Sequence, residues 1–89
     1  MTDNDPQFQS HPEQGCIGWL VNTNRHQVVH YRPDPAPENA GWVLIRTYHY
    51  NPPRPPEPLN HRRVPYEDAI QTWTMMLKSG WRPCRAPAR

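Results

Sequence analysis

The most reactive side chain in this 89-residue sequence is expected near its carboxy end, in "GWRPCRAPAR". Cys84 stands between Arg82 and Arg85, and nearby cations favour a thiolate, lowering the thiol pKa and raising its reactivity. A cysteine nucleophile also needs a base, an orienting group and an oxyanion site, and no pattern for these can be named here. The five histidines are His11, His26, His30, His49 and His61, with no Cys-x-x-Cys pair and no helical His pair at ligand spacing. His26 and His30 are four apart, but along a strand that is about 13 Å, too far to share one ion. Glu67 and Asp68 fall in the first turn of a helix, where acids complement the dipole and need no acid-base role. Only four glycines occur, none clustered as a phosphate loop requires. The residues therefore point to no catalytic group, no cofactor and no metal, and away from an enzyme.

Binding chemistry is better represented. Nine of the ten basic residues are arginine, the side chain suited to forking phosphates and carboxylates and to stacking on rings. Net charge is +2 overall, but residues 1–53 carry net −2 and residues 54–89 net +4. Arg54, Arg62 and Arg63 precede the predicted helix, while Arg82, Arg85 and Arg89 follow it. Beside strand aromatics such as Tyr48 and Tyr50 they have the makings of a single-stranded nucleic-acid surface. Against this stand the acidic amino-terminal half and the lack of any known RNA-binding strand signature or helix-turn-helix pair. The plain alternative is that these arginines solvate a small domain.

Few elements of secondary structure carry these residues. Hydrophobic content is 35% and there are 13 prolines, so the chain is one small domain with much irregular backbone. Residues 1–14 are polar and aperiodic and read as a disordered tail. "CIGWLVN" and "HQVVHYR" alternate as strands around the turn cluster "NTNR", giving a hairpin with a loop of about three to five residues. "GWVLIRTYHY" is the longest strand candidate; "NPPRPPEP" then forces an extended, polyproline-like connection. "LNHRRV" is a possible fourth, edge strand whose charges blunt pairing with other chains. In "PYEDAIQTWTMMLKSG", Ala69, Ile70, Trp73, Met76 and Leu77 form one apolar helical stripe, and Gly80 takes the left-handed position after the end. Trp81 then lies where it touches Met76 in a Schellman closure.

These elements predict an α+β fold, a three- or possibly four-stranded antiparallel sheet with one carboxy-terminal helix on one face, occupying residues 15–82, with 83–89 as a flexible basic tail. Three of the four tryptophans follow a glycine, and all three pairs read first as core. The expected core is Ile17, Trp19, Val21, Val29, Val43, Ile45, Ala69, Ile70, Trp73, Met76, Leu77 and Trp81. One helix covers one face, so the other still carries large residues, a mark of a partner or dimer surface. The candidate partner residues are Trp42, Leu44, Arg46, Tyr48, Tyr50, Arg62 and Arg63. A protein partner or a second copy of the chain is the favoured occupant and nucleic acid the runner-up. The polar start and the lack of a membrane-length apolar run lead to the expectation of a cytoplasmic protein with reduced thiols.

The order "GWLVN…VVHYRPD…WVLIRT…HRRVPYEDAIQTWTMMLKSGWRPC" resembles a family of small cyanobacterial proteins classed as a domain of unknown function. The resemblance rests on Gly18, Trp19, Leu20, Arg46, Thr47, Arg62, Arg63, Ala69, Trp73, Leu77, Gly80, Trp81 and Cys84 and covers about residues 16–84. It departs in the proline-dense 52–58 segment, where a shorter polar hairpin turn is the family pattern. The resemblance implies a cyanobacterial or cyanophage origin and brings no activity with it.

Overall fold

A computed structural model describes residues 17–87; the amino-terminal tail expectation and Cys16 lie outside them. Five strands, β1 (Gly18–Asn22), β2 (Gln27–Pro33), β3 (Trp42–His49), β4 (Glu57–Pro65) and β5 (Arg82–Cys84), accompany one helix, α1 (Tyr66–Lys78). The strands form a single antiparallel sheet in the order β4-β3-β2-β1-β5. The α+β class and the single carboxy-terminal helix agree with the sequence reading; the strand count does not. "EPLNHRRVP" is a full edge strand, and the expected flexible tail begins too early, because Arg82–Cys84 pairs with β1. Three residues with a proline among them are too short to announce themselves by alternation, and only the partner strand supplies their ladder.

The first hairpin sets which side chains face inward. Asn22 pairs with Gln27 across the four-residue loop Thr23–His26, where His26 takes a positive φ of 55°. That pairing places Leu20 opposite Val29 and Gly18 opposite Tyr31. Leu20, Val29, Tyr31, Val43, Ile45, Ala69, Trp73 and Trp81 make the buried cluster between sheet and helix, with Ile17, Val64, Ile70 and Met76 packed against it. Trp19 and Val21 were expected here; they point to the opposite face, since neighbouring strand residues alternate sides. Leu77 is 39% exposed rather than core. Leu77 stands in the last turn of α1, one residue before its end at Lys78 and beyond the buried Ala69 and Trp73.

The helix is tied to the sheet at both ends and in the middle. Pro65 closes β4 and serves as the N-cap, and the Tyr66 N–H donates to the Gly41 carbonyl at 2.9 Å. Mid-helix, the ring of Tyr31 meets Trp73 edge-on with centroids 5.0 Å apart, a contact worth about 0.5–1.5 kcal/mol beyond area burial. The fully buried Tyr31 hydroxyl lies 3.0 Å from Thr72 Oγ1 and 3.1 Å from Met76 Sδ. At the far end Gly80 has φ +101°, the Trp81 N–H donates to the Met76 carbonyl and the Gly80 N–H to the Leu77 carbonyl. This is the expected Schellman closure, and it folds the chain back so that Trp81 enters the core.

The two proline-rich connections are shaped differently from each other. The β2–β3 link holds a short 3₁₀ helix, Pro37–Asn39. The β3–β4 link is not uniformly extended: the Pro52–Pro53 peptide is cis and the Arg54 N–H donates to the Asn51 carbonyl, closing a turn.

Candidate functional site

With α1 on one side, the other face of the sheet is free of helix. Its side chains follow from the ladders as cross-strand rows. One row runs Arg82, Val21, Val28, Tyr48, Pro58; the next runs Cys84, Trp19, His30, Arg46, His61; a third holds Arg32, Leu44 and Arg63. Val28 is 0% and Leu44 3% exposed although no helix covers them. Rings and the aliphatic stems of arginine can shield such residues while their heads stay in water.

Trp19 and His30 stack face to face, with ring centroids 4.2 Å apart and planes 9° apart. Tyr48 approaches Trp19 diagonally at 5.7 Å, tilted by 32°. Burial pushes the His30 pKa below its ordinary value, and the positive charges of Arg32 and Arg46 push it further the same way. At neutral pH this favours the uncharged imidazole, while the arginines carry the charge.

Arg32, Arg46 and Arg82 are exposed around this cluster. Arg63 shares the face but is engaged: its Nε donates to Asp34 Oδ2, with half of the arginine side chain still open to solvent. Asp34, in the β2–β3 link, has a side chain only 1% exposed. It also accepts from the Ala36 N–H at 2.9 Å and from Asn39 Nδ2 at 3.2 Å. These donors, the Ala36 N–H foremost and then Arg63 and Asn39, lower its pKa against the opposing effect of burial. Glu57, the one acidic strand residue among those described, pairs with His49 and so falls on the helix side of the pleat.

The structure divides the partner residues that the sequence suggested. Leu44, Arg46, Tyr48 and Arg63 share the helix-free face. Trp42 is on the same face and 42% exposed, but six residues along β3 from Tyr48, about 20 Å away. Arg62 pairs with Ile45 and faces the other side. Tyr50 lies past the end of β3, its N–H on the His26 carbonyl, in a separate cleft with Val21, Thr23 and Pro52. Trp19, His30 and Arg32 were missed, and Arg82 was named only among the arginines that flank the helix. The turn residues between Asn22 and Gln27 were the available signal: fixing the hairpin register moves Trp19 from core to open face.

Cys84 does not bear out the reactive thiol expected of its neighbours. It is half-buried beside Trp19 in the ladder, and burial pushes its pKa up. Among the described residues no three of His, Cys, Asp or Glu gather as a metal site, and no helix is long and apolar enough to cross a membrane.

Fold and face together define a small α+β domain whose five-stranded sheet is backed by one helix and open on the other side. The chain belongs to the DUF1651 family, described as a protein of unknown function, whose model matches residues 17–88. No curated protein and no solved structure matches it.

Proposed function

We propose that this protein is a non-catalytic binding module whose working surface is the helix-free face of the sheet, and that its partner is nucleic acid. The observation that carries this reading is the charge on that face. Arg32, Arg46 and Arg82 stand exposed around the Trp19–His30–Tyr48 rings, and the nearby Asp34 is buried and paired. Two copies meeting through this face would set arginine against arginine, which disfavours the self-association that the sequence suggested. A polyanion turns the same charges into attraction.

The test is fluorescence anisotropy of labelled RNA and DNA against rising salt. Three arginines on phosphates predict a log–log slope of about −2, from about −0.7 per single-strand phosphate neutralised. Affinity that ignores salt, or no binding at low salt, counts against this reading.

A protein partner is kept as a second reading because of Trp42. A 42% exposed tryptophan apart from the arginine-ringed cluster has the character of an interface anchor. Co-purification that survives in the wild type and is lost in Trp42→Ala supports it; co-purification indifferent to that substitution removes it.

A further inference from the structure

Trp19 and Tyr48 line a partly open cleft of about 200 Å³ together with Pro55, Pro56, Ala86 and Pro87. None of these six lining residues is charged. The cleft is smaller than the roughly 300–1,000 Å³ of pockets that hold drug-sized ligands, so it suits one flat ring rather than a whole cofactor. The cations lie outside it: Arg82 stands in the row of Tyr48, and Arg46 stands beyond His30 in the row of Trp19. An apolar ring slot bordered by exposed arginines divides the work as single-strand binding requires, with a base on the aromatics and phosphates on the guanidinium groups. A paired base in a duplex is stacked above and below and cannot enter such a slot.

Resting on the binding reading above, we infer that the Trp19–Tyr48 cleft seats one unpaired base of a single-stranded nucleic acid, with Arg46 and Arg82 on the phosphates to either side. The uncharged lining leaves the edges of a base little polar contact, so the seat selects for single-strandedness more than for sequence. Proline rings also pack on aromatics, and a proline-rich peptide is the competing occupant. The arginines favour the anionic one.

The experiment uses the full chain and four probes: fluorescein-labelled oligouridylate of about ten nucleotides, within the roughly 4–16 nucleotide sites of single-strand binders; its duplex with a complementary strand; heparin, a polyanion without bases; and a labelled polyproline peptide. The inference expects oligouridylate to bind more tightly than the duplex. Trp19→Leu and Tyr48→Leu should each weaken it by about fivefold or more, while Trp19→Phe and Tyr48→Phe stay within about twofold. Heparin binding should be the same in all four variants. Should Trp19→Leu fail to fold, the Tyr48 pair alone decides, and the Tyr48 ring signals of the wild type must shift on adding oligouridylate. Duplex binding as tight as single-strand binding, leucine variants that bind oligouridylate like the wild type, or tighter binding of polyproline overturns the base seat while leaving the binding face in place. Failure of every polyanion to bind overturns both.

Discussion

Trp19 and His30, on neighbouring strands, stack with planes 9° apart at 4.2 Å on the side of the sheet that the helix leaves open. The stack connects a ring surface to two arginines, because Arg32 and Arg46 are the charges that hold the His30 pKa down after burial. On the proposed reading, that connection makes nucleic-acid binding sensitive to pH. Phosphates drawn to Arg32 and Arg46 offset part of their repulsion, so the complex accepts a proton on His30 that the free protein resists. Proton uptake on binding means that affinity rises as pH falls below about 6.5. Anisotropy titrations across that range at constant ionic strength should show it, and His30→Gln should flatten the curve. A wild-type affinity flat in pH contradicts the coupling.

The same depressed pKa acts in the opposite sense on the free fold. The unfolded chain takes up the His30 proton below about 6.5, while the folded domain takes it up only at lower pH. Stability is therefore fully present above that value and falls as pH drops through the window down to the folded pKa. Urea midpoints of wild type and His30→Gln should diverge only in that window; parallel curves argue that His30 titrates normally.

Asp34 governs a lower range. Its carboxylate accepts from Ala36, Arg63 and Asn39, so it contributes stability above its ordinary 3.8, lost as pH falls through the folded value. Asp34→Asn should remove that acid step and weaken the tie between the β2–β3 link and β4 at neutral pH. Thermal melts from about pH 2 to 7 measure both. A variant that keeps the full acid step shows that other carboxylates cause it.

The helix and its closure were legible in the sequence because their signals are local. Pro65, the acids at 67 and 68, the apolar stripe and Gly80 lie within one short stretch, and each has a fixed role relative to the helix ends. The pleat of β1 was not legible from "CIGWLVN" alone, where either alternate set is apolar enough to face inward. Only the ladder to β2 decides it, and the decision moves Trp19 from core to the helix-free face. Strand β5 depends on a partner more than sixty residues away in sequence, so its three residues read as tail. The candidate face was therefore half visible: Leu44, Arg46 and Tyr48 lie on one long strand, whereas Trp19, His30 and Arg82 join them only through pairing.

At the helix end, Gly80 has φ +101°, and a Cβ there would meet no neighbour within 4 Å. Gly80→Ala thus isolates backbone strain from crowding and should cost about 1–2 kcal/mol in urea unfolding. In the core, Trp73→Ala removes the ring that meets Tyr31 and should cost about 3–5 kcal/mol. Tyr31→Phe, which keeps the ring and drops only the buried hydroxyl, should cost about 1 kcal/mol. A Tyr31→Phe loss as large as that of Trp73→Ala contradicts this ranking.

On the proposed reading the helix-free face, and not the helix side, meets nucleic acid. The indole N–H signals of the tryptophans test it most directly, because Trp19 lies on that face while Trp73 and Trp81 are buried on the other. In an NMR titration with oligouridylate at low salt, the Trp19 indole and the Arg46 and Arg82 guanidinium signals should shift together. Those of Trp73 and Trp81 should stay in place, and the shifts should fade as salt is added. Shifts centred on the residues of α1, or a Trp19 signal that never moves while nucleic acid binds, contradict it.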